Sequence, residues 1–352
     1  MHIVGARPQF IKMAMVARSL KETGTQTIIH TGQHYDENLS DLFFRQLNIA
    51  GPAVNLNVGS GSHAEQTAQM LVGIEKKISD FAPDWVLVYG DTNSTLAGAL
   101  VAAKLNYPLV HIEAGLRSFN RSMPEEINRI IADHLSQILF CPTQTAVDNL
   151  SREGIEECVY QVGDVMADAL LHFQNIAEKE SNILKDINLT PRGYALLTLH
   201  RVGNTDNKER LSAIISGLRD LPVQIVFPVH PRAEKMLGVF DIILPANIIQ
   251  ISPVGYLDMI MLEKNAECIL TDSGGVQKEA YILGVRCLTL RDETEWTETV
   301  EAGWNVLVGA QAQRIITEYN HFLPKTERKS LFGNGDAAQR MTNILNIEKI
   351  KK

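Results

Sequence analysis

Short unbroken apolar runs alternate along the chain with longer stretches whose apolar residues recur every three or four positions. The runs are Ile28-Ile29-His30, Trp85-Val86-Leu87-Val88-Tyr89, Leu109-Val110-His111-Ile112 and Ile138-Leu139-Phe140-Cys141. After a break they resume as Ala195-Leu196-Leu197-Thr198-Leu199, Val223-Gln224-Ile225-Val226-Phe227, Ile248-Ile249-Gln250-Ile251, Cys268-Ile269-Leu270-Thr271 and Cys287-Leu288-Thr289-Leu290. They are rich in β-branched residues, lack period-two polarity and end in Gly, Pro, Asp or Ser, as strands buried on both faces of a parallel sheet do. A first strand is expected at Met1-His2-Ile3-Val4. Helical segments such as His63 to Ile78 and Asp206 to Leu218 separate the runs. Strand alternating with helix predicts an α/β protein with doubly wound parallel sheets.

A chain of 352 residues can bury two cores. The polar stretch Glu178 to Arg192 reads as a linker region. Two Rossmann-like domains are expected, an N-terminal one over 1–162 and a C-terminal one over 163–335. A last helix over 336–352 is expected to join the first, and only the final residues, from Glu348, read as disordered.

Composition narrows the function. Hydrophobic content of 45% and charged content of 21% are ordinary for a globular protein. A net charge of -8 argues against a nucleic-acid partner but permits an anionic small ligand, since a few cations suffice locally. No signal peptide or membrane-spanning apolar run is read, so no membrane partner is expected and a cytoplasmic location is. Cys141, Cys158, Cys268 and Cys287 form no C-x-x-C and read as buried small hydrophobes. The histidines show no zinc spacing, so no metal is expected.

In open parallel sheets, ligands bind beyond the carboxyl ends of the strands, so residues following the runs carry the chemistry. Gly5-Ala6-Arg7-Pro8 places a proline where a helix begins. Arg7 and Lys12 there either meet an anion at the helix start or are surface cations. Asp91 follows the most apolar run and also suits a helix cap. Glu113 ends the next run, with Arg117 near enough to pair with it. Glu125 and Arg129 fall together opposite the stripe Ile127, Ile130, Ile131 and Leu135, which by periodicity is a solvated ion pair on a helix. His200-Arg201 and His230-Pro231-Arg232 end neighbouring runs and suggest an anion site. The strongest signal is Thr271-Asp272-Ser273-Gly274-Gly275-Val276-Gln277-Lys278-Glu279. A strand enters Ser273-Gly274-Gly275 and then a helix, whose open N–H groups suit a phosphate. Glu279 could accept from ribose hydroxyls. Neither a P-loop nor a G-x-G-x-x-G fingerprint is present, so ATP and NAD are weak readings. These residues by themselves imply an enzyme or binder for a phosphorylated, nucleotide-like ligand.

As an ordered set the segments resemble the non-hydrolysing UDP-N-acetylglucosamine 2-epimerases. The matching segments are G-A-R-P-Q-F-I-K, T-G-Q-H, Y-G-D-T-N-S-T, H-I-E-A-G-L-R, P-E-E-I-N-R, L-H-R, T-D-S-G-G-V-Q-K-E-A and R-D-E-T-E-W, and they span nearly the whole chain. The resemblance implies a glycosyltransferase-B arrangement with a UDP-sugar in an interdomain cleft, a homodimer and no cofactor. It also implies elimination of UDP to a glycal and re-addition with a proton on the other face of C2, which needs acid and base groups. Carried over by motif, Asp91, Glu113 and Glu125 become acid/base candidates and His200 acts at the diphosphate or leaving group. Arg7, Lys12, Ser273, Gly274 and Gly275 hold phosphates or position the sugar, and Glu279 takes the ribose.

The chain departs from the common family pattern at His200-Arg201-Val202-Gly203 (usually His-Arg-Arg-Glu), at Thr294-Glu295-Trp296-Thr297-Glu298 (usually Thr-Glu-Arg-Pro-Glu) and at Gln33-His34-Tyr35 (usually Gln-His-Arg). In many bacterial members parts of these segments form a second, activating nucleotide-sugar site. The departures resemble the branch acting on UDP-2,3-diacetamido-2,3-dideoxyglucuronate, so two substrates stay open. A hydrolysing epimerase and a glycosyltransferase of the same fold remain alternatives.

Overall fold

A computed structural model describes residues 1–33 and 51–350, the side chains of 349 and 350 excepted. His34, Tyr35 and Lys351-Lys352 lie outside the described residues. The chain divides into two units, residues 1–171 with 331–352, and residues 172–330. The division falls within the helix Val165–Glu180, and the stretch Glu178 to Arg192 belongs to the second unit.

The first unit runs β1 (His2–Val4), α1 (Arg7–Ser19), β2 (Ile28–His30), β3 (Val54–Asn55), α2 (His63–Phe81), β4 (Val86–Tyr89), α3 (Asn93–Lys104), β5 (Leu109–Ile112), α4 (Pro124–Leu135), β6 (Ile138–Cys141), α5 (Gln144–Arg152), β7 (Val159–Gln161) and α6 (Val165–Glu180). Its seven strands are parallel in the order β3-β2-β1-β4-β5-β6-β7. Strand order reverses between β1 and β4, which leaves a crevice outside their carboxyl ends. Ile3, Val4, Val86, Val88, Leu109 and Val110 are fully buried, as apolar runs without polar alternation require.

The second unit runs β8 (Tyr194–Thr198), α7 (Val202–Thr205), α8 (Lys208–Arg219), β9 (Gln224–Pro228), α9 (Pro231–Val239), β10 (Ile248–Ile251), α10 (Tyr256–Asn265), β11 (Cys268–Thr271), α11 (Gly274–Leu283), β12 (Arg286–Thr289), α12 (Thr297–Glu301), β13 (Asn305–Leu307) and α13 (Ala312–His321). Its six parallel strands follow the order β10-β9-β8-β11-β12-β13, with the reversal between β8 and β11. Each unit therefore has the doubly wound parallel architecture expected from the alternation.

The last helix, α14 (Ala337–Ile350), returns to the first unit. The Asp168 carboxylate caps its start, accepting from the backbone N–H of Ala337 (3.2 Å) and Ala338 (2.8 Å). Arg340 donates to the carbonyls of Val162 (3.2 Å) and Gln161 (3.0 Å) beside β7. The helix continues to Ile350, past Glu348, where disorder was expected.

Helix α4 reverses the orientation that its periodicity suggests. Glu126, Asn128, Arg129 and Asp133 are buried, whereas Ile127 is 46% exposed. The inward face meets the ends of β4 and β5, where polar groups await partners, so burying charge here satisfies it. Of the cysteines, Cys141, Cys268 and Cys287 are buried as expected, but Cys158 is exposed. Among the described residues no helix is long and apolar enough to cross a membrane.

Candidate functional site

In the first unit, α1 begins at Arg7, one residue before the expected proline start. Its first turn is stapled to β4 by the buried Gln9. The Gln9 amide oxygen accepts from the N–H of Gly5 (2.7 Å) and Ala6 (3.1 Å), and its nitrogen donates to the Tyr89 carbonyl (2.8 Å). Arg7 is half-buried at the helix start. Lys12 lies one turn further on, almost wholly buried, and forms an ion pair with Glu113.

Glu113 leaves β5 in the left-handed region (φ 71°), where a non-glycine residue costs about 1–2 kcal/mol. Its carboxylate stands beside Gly90, the residue before Asp91. Asp91, 29% exposed at its side chain, pairs with Arg129 from α4. Asn128 donates to the Asp91 carbonyl (2.9 Å). Since β4 and β5 are neighbours, the acids of two adjacent strand ends each carry their own cation. Glu125 sits half-buried in the first turn of α4.

Behind these acids runs a second network, buried except at Glu153. His111 Nε2 donates to the Gly90 carbonyl (2.7 Å), and Nδ1 shares a hydrogen bond with Asp133 (2.6 Å). Arg117 does not pair with Glu113 as its spacing suggested. It bridges Asp133 (2.7 Å) and Glu153 (2.7 Å). Burial alone would raise the Asp133 carboxyl, but His111 and Arg117 hold it below the usual range. The network fixes the Gly90 turn, and through it the backbone that presents Asp91.

In the second unit, His200 follows β8 with its side chain 36% exposed. Its Nδ1 lies 3.1 Å from the buried Asp272 at the end of β11. That carboxylate also accepts the backbone N–H groups of His200 (3.1 Å) and Arg201 (3.0 Å). Burial would push Asp272 up, yet His200 and these backbone donors lower it. An anionic Asp272 accepts from Nδ1 and so fixes the orientation of the His200 ring.

Ser273 caps α11 through its hydroxyl, and Gly274 and Gly275 open the helix. Gly274 packs closely, since a Cβ there would stand 2.3 Å from Glu295 Oε1 and would displace that carboxylate. Glu279 is buried one turn in, and the Tyr256 hydroxyl donates to it (3.4 Å). Trp296, at a departure from the family pattern, is buried with the Lys278 ammonium 3.9 Å from its ring centroid. Arg232, grouped by its spacing with an anion site, is engaged by Asp206 through two bonds (2.8 and 2.7 Å). Among the described residues no group of three or more His, Cys, Asp or Glu side chains could hold a metal.

A sequence profile described as UDP-N-acetylglucosamine 2-epimerase matches residues 18–346. The chain belongs to the UDP-N-acetylglucosamine 2-epimerase family. It is 51% identical to a UDP-N-acetylglucosamine 2-epimerase homolog of Methanococcus maripaludis, over 97% of this chain and 98% of that one. It is 46% identical to the UDP-2,3-diacetamido-2,3-dideoxy-D-glucuronate 2-epimerase of Pseudomonas aeruginosa, over 97% and 98%. Among solved structures it is similar to the Methanocaldococcus jannaschii UDP-GlcNAc 2-epimerase crystallised with UDP-GlcNAc and UDP (TM-score 0.93, 49% identity, 98% and 99% coverage). Family members so named are isomerases, so this family member is of an enzyme class.

Sequence reasoning missed Glu126, Asn128, His111, Asp133 and Asp272. Their spacings look ordinary, and what distinguishes them is burial beside a strand end. The one available signal was P-E-E-I-N-R, whose polar residues crowd one side of a helix start.

Proposed function

We propose that this protein inverts C2 of a UDP-2-acetamido sugar without hydrolysing it. The observation that carries the reading is the pair of carboxylates, Asp91 and Glu113, at adjacent strand ends, each with a separate cation. A base takes the C2 proton, the C1–oxygen bond breaks and the electrons leave with UDP. The glycal then regains a proton at C2 on its other face while the UDP oxygen rebonds to C1. Asp91, Glu113 and Glu125 are the acid/base candidates of the first unit. Because C2 needs groups on opposite faces, two carboxylates held by different cations suit the task better than one.

His200 would serve the leaving diphosphate, supported by its anionic partner Asp272. The N–H groups at Ser273, Gly274 and Gly275 would meet phosphate oxygens, whose charge grows as UDP departs. Glu279 would accept from the ribose, and Arg7 and Lys12 would position the anionic part of the substrate. Two relatives named for different sugars leave two substrates, UDP-N-acetylglucosamine and UDP-2,3-diacetamido-2,3-dideoxyglucuronate. The reading also includes a homodimer, supported by the outward Ile127 and half-buried Ile130 and Ile131 of α4, and a cytoplasmic location, where nucleotide sugars are made. It needs no metal or nicotinamide, so activity should survive excess EDTA.

Proton NMR in D2O, with each UDP-sugar supplied separately, tests this. The expected result is a manno epimer carrying deuterium at C2 with UDP attached. Free UDP in stoichiometric yield would favour the hydrolysing alternative. Unchanged, undeuterated substrate in both samples would overturn the reading.

A further inference from the structure

Glu126 lies one residue beyond the acid singled out by motif, and it is more deeply buried. It is 1% exposed, as is Arg129. Four donors converge on its carboxylate: Arg129 Nη1 (2.9 Å), the Ser118 N–H (2.9 Å), the Ser118 hydroxyl (2.9 Å) and the Phe119 N–H (2.9 Å). Phe119 is held there in the left-handed region, φ 58°. The Ser118–Phe119 turn belongs to the segment joining Glu113 to Glu125. The other end of the Arg129 guanidinium carries Asp91. One carboxylate thus touches the connection between two candidate acids and, through one rigid planar group, the third.

A buried ion pair is weak evidence for stability, because an apolar pair of similar volume often does as well. It makes sense where geometry must be held. A guanidinium is planar, so anchoring Nη1 also orients Nη2. Glu126 and Arg129 are three residues apart on α4, so the helix itself keeps the carboxylate and guanidinium aligned. We propose that Glu126 is a positioning residue: through Arg129 it sets the orientation of the Asp91 carboxylate, and through the Ser118–Phe119 turn it holds the segment that joins Glu113 to Glu125. The proposal rests on the reading of Asp91 as an acid/base group.

The test uses the full chain with Glu126→Gln. The amide has the same shape, but one of its two ends is now a donor, so either the Phe119 N–H alone or Arg129 and Ser118 together lose their acceptor. Wild-type turnover first establishes the reaction. The variant is then expected to lose about 10- to 100-fold in kcat, the scale of a small misplacement of a catalytic group. KM should stay within about threefold, with the stoichiometry of UDP binding unchanged. Asp91→Asn combined with Glu126→Gln should lose less than the product of the two single losses, since part of the Glu126 effect runs through Asp91 and the rest through the turn. Turnover within about twofold of wild type, multiplying losses in the double variant, or a kcat loss matched by lost binding stoichiometry would each overturn the proposal. If Glu126→Gln does not fold, Arg129→Lys takes its place: it keeps the charge without the fork, and the same outcomes decide.

Failure of the wild type to epimerise either sugar would sink the function and leave the positioning claim to a crystal structure of the variant. A rotated Asp91 or a released Ser118–Phe119 turn would support it. Unmoved Asp91, Arg129 and turn would refute it.

Discussion

Replacing Gly90 with alanine probes how tightly the acids are placed. Gly90 has φ 61°, its N–H donates to the Ile112 carbonyl (2.9 Å), and its own carbonyl accepts from His111 (2.7 Å). Held on both sides, the turn has little freedom to relax into a conformation that alanine prefers. The left-handed backbone then costs about 1–2 kcal/mol. A Cβ would also stand 3.0 Å from Glu113 Oε2 and 3.2 Å from Lys12 Nζ. Both atoms end side chains, so they can yield, but only by a few tenths of an ångström and as a pair. Displacement of Glu113 should lower kcat by about 10- to 100-fold. Gly154→Ala is the control, because Gly154 has φ 79° with nothing within 4 Å of the added carbon. Both variants should therefore lose comparable stability in a denaturant titration, while only Gly90→Ala loses turnover in the NMR assay. Wild-type turnover in Gly90→Ala, or an equal loss in Gly154→Ala, would refute the reasoning that contact with the Glu113–Lys12 pair is what matters.

Other expectations follow from the same geometry. Asp91→Asn, Glu113→Gln and His200→Ala should each reduce turnover by about a hundredfold or more, and near-normal turnover in Glu113→Gln would remove it from the acid/base set. His2 is fully buried, which pushes its pKa from 6.5 down to about 3. Below its ordinary pKa the unfolded chain takes up the proton and the folded one does not, so its stabilising contribution is complete above pH 6.5 and declines as pH falls toward 3. Urea titrations of wild type and His2→Gln should therefore differ in slope against pH across that window, and parallel curves would contradict the burial argument. The proposed homodimer should become a monomer by light scattering in Ile127→Asp without unfolding, and a wild type that is itself monomeric, or an unaltered mass in the variant, would refute that interface.

The parallel core was legible because strands buried on both faces leave continuous apolar runs. Val54–Asn55, Val159–Gln161 and Asn305–Leu307 were not read as strands. All three lie at sheet edges, are two or three residues long and leave some residues half-exposed, so they lack an apolar run. On α4 periodicity found the two faces but could not say which one met the sheet. That depended on polar groups arriving from other strands. The ion pairs were equally hidden, since Lys12 meets Glu113 across 101 positions and Arg129 meets Asp91 across 38, with whole strands and helices between them. The ordered motifs located the acids, whereas their partners emerged only from the fold.

The return of α14 to the first unit separates the order of synthesis from the order of completion. A ribosome finishes the contiguous stretch 172–330 before it makes the helix that the earlier unit lacks. Until then Asp168, whose burial raises its pKa to about 6 despite the donated N–H groups of Ala338 and Ala337, has neither donor. The first unit to emerge is thus the last to close, and a chain stopped after Ser330 would carry a finished second half beside an uncapped first.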